Sequence, residues 1–333
     1  MRLHGLLGIV FCVACSSPKT NAPYTFPDTP AGVVPQSESN KATEKGVELG
    51  KRLFFDSQLS SNGTVSCQTC HHPEKAFTDG QSLTSMGVSH KPLLRHAPAL
   101  FNLAWYPGLF WDGGSKNLES QVFGPLTHPD EMGMDLTILL KKLRADKEYP
   151  KLFRDAFGED SITTQGLARA LAQYERTLLS FDSHYDRVKA GKENFTRMEL
   201  EGEKLYTQFC ASCHPAPLFT DLSYHANGID SSISDKSHEL IYWGRYRITN
   251  DSADIGKFKT PSLRNVGFTA PYMHDGRLAS LDDVLNHYAR NQAQNPLADE
   301  RLKAGDFSAI GVEQKKALEA FLYALNDSTY IGN

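Results

Sequence analysis

Apolar residues recur at helical spacing in several separate segments of the chain. Segments 41–55 and 198–209 each carry apolar residues at this spacing, which indicates amphipathic helices that bury one face. The same spacing predicts further helices over 136–144, 165–181, 281–290 and 312–326. Segments 72–98 and 219–261 show no such period and are predicted to be loops. The pattern therefore predicts a mainly α protein with two long loops.

Two of these helices share a further feature that suggests an internal duplication. Gly50 lies four residues before Phe54, and Gly202 lies four residues before Tyr206. Because glycine has no Cβ, it lets a second helix approach the backbone closely. Each of the two helices is followed by the same short motif, Cys-x-x-Cys-His. The chain is therefore predicted to contain two related domains, each built on a close helix crossing.

The Cys-x-x-Cys-His motif indicates covalent attachment of a c-type haem. Two thiols two residues apart can form thioethers with one porphyrin edge, and the adjacent imidazole can coordinate the iron. The copies consist of Cys67, Cys70 and His71 in the first half and of Cys210, Cys213 and His214 in the second. A zinc site and a thioredoxin-like redox pair are the alternatives, but neither explains a histidine directly after both copies. The sequence predicts two haems, with His71 and His214 as iron ligands.

Composition and charge narrow the classes of function. The chain has 333 residues, of which 40% are hydrophobic, and a formal net charge of −4 at pH 7. These values suit globular domains with a sizeable core and exclude a largely disordered chain. The charge gives no basic face for nucleic acid, which is not expected as a partner. Four of the six cysteines belong to the motifs, and Cys12 and Cys15 are the others, so no pair remains for a disulfide in the mature body.

Residues 1–15 have the features of an export signal. Arg2 precedes an apolar run over 6–14 that is too short to span a bilayer. The run ends in small residues before Cys15, which resembles the lipobox of bacterial lipoproteins, in which the cysteine becomes the acylated N-terminus; ordinary signal cleavage is the alternative. Segment 16–40 is rich in Pro, Ser and Thr and is predicted to be a flexible tether. We therefore expect an exported, periplasmic protein that reaches a membrane only through a lipid anchor.

Further short motifs occur in both halves of the chain. They are Phe110-Trp-Asp-Gly113, Gln121, Pro125, Glu131-Met-Gly133, Phe258-Lys-Thr-Pro-Ser-Leu-Arg-Asn265 and Ala270-Pro-Tyr-Met-His-Asp-Gly276. With these motifs, the sequence over 41–330 resembles the bacterial di-haem cytochrome c peroxidase and MauG family. The resemblance implies two cytochrome c-like domains, an N-terminal peroxidatic one at 41–192 and a C-terminal electron-transfer one at 193–333. Long loops suit this fold, because the porphyrin supplies part of each core.

In that family the N-terminal haem reacts with peroxide, so the resemblance implies this role for the haem on His71. Glu131 matches the family's catalytic carboxylate, which moves a proton between the peroxide oxygens as their bond breaks. Gln121 matches its pocket amide and Pro125 its pocket wall. Trp111 matches the tryptophan that lies between the haems and relays electrons. Without the resemblance, Glu131 would be interpreted as a solvated acid and Trp111 as a core residue.

The distal ligand of the second iron has four candidates, Met273, His274, His287 and Tyr288. Ordinary di-haem peroxidases carry the ligand methionine on the helix that corresponds to 281–290 here. Alignment of the motifs places Tyr288 at that position, as in MauG. Met273 is interpreted as a packing residue and His274 as a hydrogen-bonding partner of a propionate or of the backbone. A core tyrosine is the alternative for Tyr288. The resemblance therefore implies His214 and Tyr288 as ligands of the second iron, and a tyrosinate ligand would lower its potential.

The family often holds a calcium ion between the haems, and one part of that site differs here. Thr269 and Pro271 match the positions of its carbonyl ligands. The asparagine that supplies another ligand is replaced by His96. Since imidazole is a poor calcium ligand, this replacement argues against calcium binding unless water bridges His96 to the ion.

The resemblance implies an enzyme that reduces hydrogen peroxide to water with electrons from a small redox protein, either a cytochrome c or a cupredoxin. A MauG-type enzyme that oxidises residues of a partner protein and a plain di-haem electron carrier are the alternatives. Glu131 and Gln121 argue against the carrier, whereas Tyr288 keeps the MauG-type alternative open. The oligomeric state, including a homodimer, stays open as well.

Overall fold

The computed structural model describes residues 21–80, 85–230, 242–290, 295–305, 307 and 310–330, and these are mainly α-helical, as predicted. The helices of the first half are α1 (Glu44–Phe54), α2 (Leu118–Gln121), α3 (Phe123–Thr127), α4 (Leu136–Ala145), α5 (Tyr149–Phe157) and α6 (Thr164–Glu175). Those of the second half are α7 (His184–Lys189), α8 (Arg197–Phe209), α9 (Tyr246–Thr249), α10 (Leu281–Ala289), α11 (Glu300–Ala304) and α12 (Val312–Tyr323). Strands β1 (Tyr224–His225) and β2 (Phe258–Lys259) form an antiparallel pair in which Tyr224 lies opposite Lys259. No helix among the described residues is both long and apolar enough to cross a bilayer.

The first predicted glycine crossing is confirmed where α1 packs on α6. A Cβ added to Gly50 would lie 1.9 Å from the carbonyl oxygen of Ala170, so any larger residue would force the helices apart. One turn later, the Phe54 ring packs edge-on against Tyr174, with 5.2 Å between the ring centroids. Both rings belong to the core of the first half and help to hold the crossing together.

The second crossing repeats the first with α8 and α12. A Cβ on Gly202 would lie 2.0 Å from the carbonyl oxygen of Ala317. The Tyr206 ring packs against Phe321 at a centroid distance of 4.9 Å. The internal duplication that was predicted from glycine and aromatic spacing is therefore present as two equivalent helix pairs.

The described residues contain two hydrophobic cores, one from residues 49–178 and one from residues 206–325. Helix α7 packs with the second core, because Tyr185 lies edge-on to Phe219 at 4.9 Å and to Phe321 at 6.0 Å between ring centroids. The change of core therefore occurs before α7, earlier than the predicted boundary at 192.

Helix α6 was predicted to continue to residue 181 but ends at Glu175. After it, the Leu178 carbonyl accepts a hydrogen bond from the Asn102 backbone at 2.9 Å. The backbone N–H of Ser180 donates to Asn102 Oδ1 at 3.0 Å, and the Ser180 carbonyl accepts from Asn102 Nδ2 at 3.2 Å. These tertiary bonds take the backbone groups that a longer helix would use, so α6 stops early.

The part of the predicted tether that is described, 21–40, is packed against the first half rather than free. Asn21 Nδ2 donates to the Ala156 carbonyl at 2.6 Å. Asn40 is 1% exposed, and its Nδ2 donates to Glu119 Oε1 at 2.7 Å. The prediction of a flexible tether is therefore wrong for this part, because its polar side chains find buried partners. The predicted export signal and Cys15 lie outside the described residues.

Candidate active site

A cavity of about 550 Å³ gathers the residues that were predicted to serve the first haem. Its walls include Cys67, Cys70, His71, Trp111, Gln121, Pro125 and Glu131. Arg247 and Lys259 of the second half complete one wall. These residues are far apart in the sequence, so it is the fold that brings the haem-attachment motif, the Glu131 carboxyl and the Gln121 amide to one cavity.

The two motif histidines are held in the same way. His71 Nδ1 lies 2.9 Å from the Phe77 carbonyl oxygen, and His214 Nδ1 lies 3.1 Å from that of Phe219. A carbonyl accepts only, so Nδ1 carries the ring proton and Nε2 keeps its lone pair for a metal. Burial lowers the pKa of both imidazoles, which keeps them neutral, as a metal ligand must be.

The four motif cysteines are free thiols. In each motif the second cysteine N–H donates to the first cysteine's carbonyl at 3.2 Å, which makes a tight turn of Cys67–Cys70 and of Cys210–Cys213. Burial raises the pKa of Cys67, and burial raises that of Cys210 to about 12, so both are protonated thiols. Two free thiols on one turn, beside an imidazole whose Nε2 is available, fit a covalently attached haem in each half.

Glu131 lines the cavity with a half-buried side chain. Burial raises the pKa of its carboxyl, whereas His128, whose Nδ1 lies 3.9 Å from Glu131 Oε1, lowers it. The Glu131 carbonyl accepts from the Val88 backbone at 2.7 Å, and its N–H donates to the His128 carbonyl at 3.0 Å. A fixed carboxyl whose pKa is shifted towards neutrality can both take up and release a proton.

Gln121 and Pro125 lie on the short helices α2 and α3, directly before Glu131. Asn117 caps α2, because its Oδ1 accepts a backbone N–H of that helix at 2.8 Å. The Pro125 carbonyl accepts from the Met132 backbone at 3.1 Å. This bond ties the helix pair to the Glu131 loop, so amide and carboxyl belong to one local unit.

Trp111 is buried at the junction between the two halves. Its Nε1 donates to the His96 carbonyl at 2.8 Å, and its own carbonyl accepts from the Lys259 backbone at 2.7 Å. Residue 111 is thus bonded to the first half through its indole and to the second half through its backbone, while it lines the cavity. Its position between two haems stays a prediction.

Three cationic side chains in the cavity wall escaped prediction. Arg95 and Arg247 both donate to Asp112 Oδ2, at 2.8 and 3.0 Å, although they come from different halves. Lys259 is buried, and burial lowers its pKa to about 8, partly opposed by Asp112. Its Nζ lies 4.4 Å from the Tyr106 ring centroid. An excess of positive groups over one carboxylate suits the two propionates of a haem. Arg247 lies outside every recognised motif, so no sequence signal pointed to it.

Glu175 at the end of α6 is a second buried acid in this wall that escaped prediction. Its side chain is 5% exposed, and its Oε2 has no hydrogen-bond partner among the described residues. Burial raises its pKa to about 8, opposed by Arg176 and aided by Glu119. The carboxyl is therefore neutral at pH 7. In the sequence Glu175 is one position of the helix predicted over 165–181, and nothing in the pattern marks it as an acid of the cavity.

We expect Glu175→Gln to stabilise the folded protein at pH 8. The pKa of Glu175 is about 8 when folded against an ordinary value of 4.5, so the unfolded chain binds fewer protons between these values. Stability from this group is therefore lost as pH rises through this window, by on the order of a few kcal/mol at pH 8. Thermal midpoints of haem-loaded protein should be higher in the variant at pH 8 and equal near pH 4.5. Equal midpoints at pH 8 would contradict the assignment.

Tyr288 lies on α10 next to the second motif, with a half-buried side chain. Burial raises the pKa of its hydroxyl, and the Cys210 and Cys213 thiols raise it further. The hydroxyl is therefore close to both thiols of the motif. The role of Tyr288 as the distal ligand of the second iron stays a prediction.

The competing candidates have other contacts. Met273 Sδ accepts from Asn227 Nδ2 at 3.0 Å, and His287 Nε2 lies 2.9 Å from the Asn227 carbonyl oxygen. The His274 ring is buried and stacked on Phe258, with 3.7 Å between centroids. Each of the three side chains thus has a contact within the protein, and the interpretation of Met273 as a packing residue stays a prediction.

A structural repeat supports this interpretation of Met273. Phe110 and Met273 each stand two residues before an Asp-Gly pair, and both have positive φ, 61° and 73°. An isolated bridge pairs the residues just before and after each turn, Leu109 with Ser115 and Tyr272 with Leu278. Met273 is therefore the second-half counterpart of an aromatic packing residue.

Thr269 and Pro271, the positions predicted for calcium carbonyls, lie at the same junction as Trp111. The Thr269 backbone approaches the His96 ring, and Pro271 is buried. Burial lowers the pKa of His96, whereas Asp79 and the Thr269 carbonyl favour its charged form. The imidazole therefore lies among the groups that were expected to face a cation.

Comparisons of the sequence and of the structure with known proteins all identify similarity to di-haem peroxidases and to MauG proteins. A family model described as di-haem cytochrome c peroxidase matches residues 44–194. The chain is 38% identical to the methylamine utilization protein MauG of Methylorubrum extorquens over 88% of this chain and 81% of that protein. It is 35% identical to the cytochrome c551 peroxidase of Nitrosomonas europaea over 74% of this chain and 73% of that protein. A crystal structure of a MauG-like protein associated with microbial copper homeostasis superposes with a TM-score of 0.79 at 32% identity, covering 94% of this chain and 97% of that one.

Proposed function

Because the chain belongs to the di-haem cytochrome c peroxidase and MauG family, we propose that it reduces hydrogen peroxide to water. The observation that carries the proposal is the cavity in which a haem-attachment motif, Glu131 and Gln121 meet. The first haem would be held by Cys67, Cys70 and His71, and would supply the iron at which peroxide binds. The two halves would form two cytochrome c-like domains with one covalent haem each.

The residues around the peroxide would share the acid–base work. Glu131 takes the proton from the inner oxygen and returns it to the outer one, so that water rather than hydroxide leaves. Gln121 donates its amide N–H to the bound oxygen and orients it. Pro125 closes one wall and keeps bulk water from the reacting oxygens. The pKa of Glu131, which burial raises above its ordinary value, supports this assignment, because a weaker acid holds and returns a proton more readily.

Electrons would enter through the second half of the chain. His214 and Tyr288 would hold the second iron. Trp111 would couple it to the first site, since its indole N–H donates to His96 of the first half and its backbone carbonyl accepts from Lys259 of the second. A small redox protein, either a cytochrome c or a cupredoxin, delivers the electrons. We place this reaction in the periplasm, with a lipid anchor at Cys15, and expect no nucleic-acid partner.

Peroxide consumption by the purified di-haem protein tests the proposed function. With a reduced cytochrome c or cupredoxin, we expect two donor molecules to be oxidised for each peroxide consumed. If the donor reduces the haems but peroxide is not consumed, the protein is an electron carrier. If peroxide is consumed only together with oxidation of a partner protein's residues, the MauG-type alternative holds.

We expect Tyr288→Phe to retain both haems and to abolish storage of the second oxidising equivalent on the second haem. An anionic oxygen ligand lowers the potential of its iron, so the fully oxidised protein should react with peroxide without prior reduction. Rapid-mixing spectra of oxidised protein with one equivalent of peroxide measure this. Met273→Leu is the matched control and should change little. If Met273→Leu removes the axial ligand and Tyr288→Phe is silent, the protein is a reductively activated peroxidase.

A further inference from the structure

His96 links the two halves of the chain through its backbone. Its N–H donates to the His274 carbonyl of the second half at 3.0 Å, and its carbonyl accepts from Trp111 Nε1 at 2.8 Å. The residue is 4% exposed, so these bonds are shielded from water. Any group that fixes the His96 side chain therefore also fixes the position of Trp111 relative to the second half.

The His96 ring lies between one oxygen-bearing group from each half. Its Nδ1 is 3.4 Å from Asp79 Oδ1, and the ring also lies near the Thr269 backbone carbonyl. Asp79 is 5% exposed, and its other carboxylate oxygen accepts from Ser85 Oγ at 2.5 Å. Among the described residues, His96 supplies the basic group within 4 Å of this buried carboxylate.

The donor set does not fit calcium. Calcium takes six to eight oxygen ligands, and an imidazole nitrogen is a poor substitute for one. Here the ring itself occupies the space between the Asp79 carboxylate and the Thr269 carbonyl, and one Asp79 oxygen is engaged by Ser85. Among the described residues neither ring nitrogen makes a hydrogen bond, so the residues place a buried ring against one carboxylate rather than an oxygen cage.

We propose that the His96 side chain replaces a structural calcium ion at this junction, so that the two halves assemble without metal. A cation would attract the buried carboxylate of one half and the carbonyl of the other, and the imidazole lies against both groups in its place. The ring thereby holds the backbone that binds Trp111 and His274. In this protein, the coupling between the halves is built from a side chain and does not depend on calcium in the medium.

Calcium content and calcium response of the haem-loaded protein test the proposal. After gel filtration in calcium-containing buffer, we expect elemental analysis to find no stoichiometric calcium in the wild type. EGTA and added calcium should leave its thermal midpoint and haem spectrum unchanged. One calcium per chain, or a lower midpoint in EGTA, would overturn the proposal. This measurement needs no variant, so it stands even if a substitution prevents folding.

His96→Asn tests the role of the ring, because it supplies the amide oxygen that the family uses. We expect the variant to have a lower midpoint than the wild type in EGTA and to recover when calcium is added. His90→Asn is the matched control, since His90 is an exposed histidine nearby in the sequence, and it should behave as the wild type. If His96→Asn matches the wild type in EGTA, the ring contributes nothing to the junction and the proposal fails.

Discussion

Replacing Glu131 by Gln is expected to leave both haems attached and to reduce peroxide turnover by roughly two to four orders of magnitude. The amide keeps the shape of the side chain and its place in the cavity wall, but it cannot carry a proton from one peroxide oxygen to the other. The attachment residues Cys67, Cys70 and His71 lie elsewhere in the wall and are untouched. Turnover should fall in kcat, while the haem absorption of the resting protein stays that of the wild type.

Glu201→Gln is a matched control for this variant. Glu201 is an exposed glutamate on α8 that pairs with Lys204 at 3.4 Å, far in the sequence from the cavity residues. Its replacement should leave turnover at the wild-type level. If Glu131→Gln also retains activity within a few-fold, Glu131 is not the proton carrier. Gln121 would then be replaced and tested in the same way.

Replacing Cys67 and Cys70 together by Ala is expected to remove one covalent haem and all peroxide turnover. Without thiols on this turn, no thioether can form, and the proposed peroxide iron is lost with its porphyrin. Intact mass and the pyridine haemochrome spectrum of exported protein should show one haem per chain instead of two. The wild type should show two.

The equivalent change in the second half serves as its control. Cys210→Ala with Cys213→Ala should also leave one haem, so both double variants have the same haem content but lack different irons. The second variant keeps the cavity around Glu131 and should still bind peroxide at its remaining iron. An exported wild-type protein with fewer than two haems would contradict the interpretation of both motifs as haem-attachment sites.

Local patterns were sufficient to predict the duplicated framework. Gly50 and Gly202 indicated the two helix crossings, because a missing Cβ has a direct geometric consequence that a short sequence window reveals. The motif turns followed from the spacing of two thiols and an imidazole. The cavity residues Gln121 and Glu131 came from the family resemblance, and the structure places them in one wall.

Features that depend on distant partners could not be predicted. Helix α6 stops at Glu175 because Asn102, more than seventy positions earlier, takes the following backbone groups. Segment 21–40 looked like a tether, yet Asn40 is buried against Glu119 and the α6 carbonyl of Arg169. Composition describes an isolated chain, whereas these bonds exist only once the fold brings the partners together.

The charges of the cavity show the same limit. Arg247 lies on the short helix α9, in a segment whose sequence shows no periodicity, and reaches Asp112 across the junction at 3.0 Å. The sequence pattern identifies Glu175 only as one position of a helix. Its raised pKa follows from burial in the folded protein. A pattern can identify a buried position, but the chemistry of that position depends on what the fold places beside it.

The electron paramagnetic resonance spectrum of the resting, fully oxidised protein distinguishes a peroxidase with one accessible iron from a di-haem electron carrier. We expect one high-spin signal, because His71 would be the single protein ligand of the first iron, in the cavity that Glu131 and Gln121 line. We expect one low-spin signal from the second iron, which His214 and Tyr288 would both hold. Loss of the high-spin signal in the Cys67→Ala, Cys70→Ala variant would assign it to the first site. Two low-spin signals in the wild type would contradict the account, because neither iron would then offer peroxide an open face.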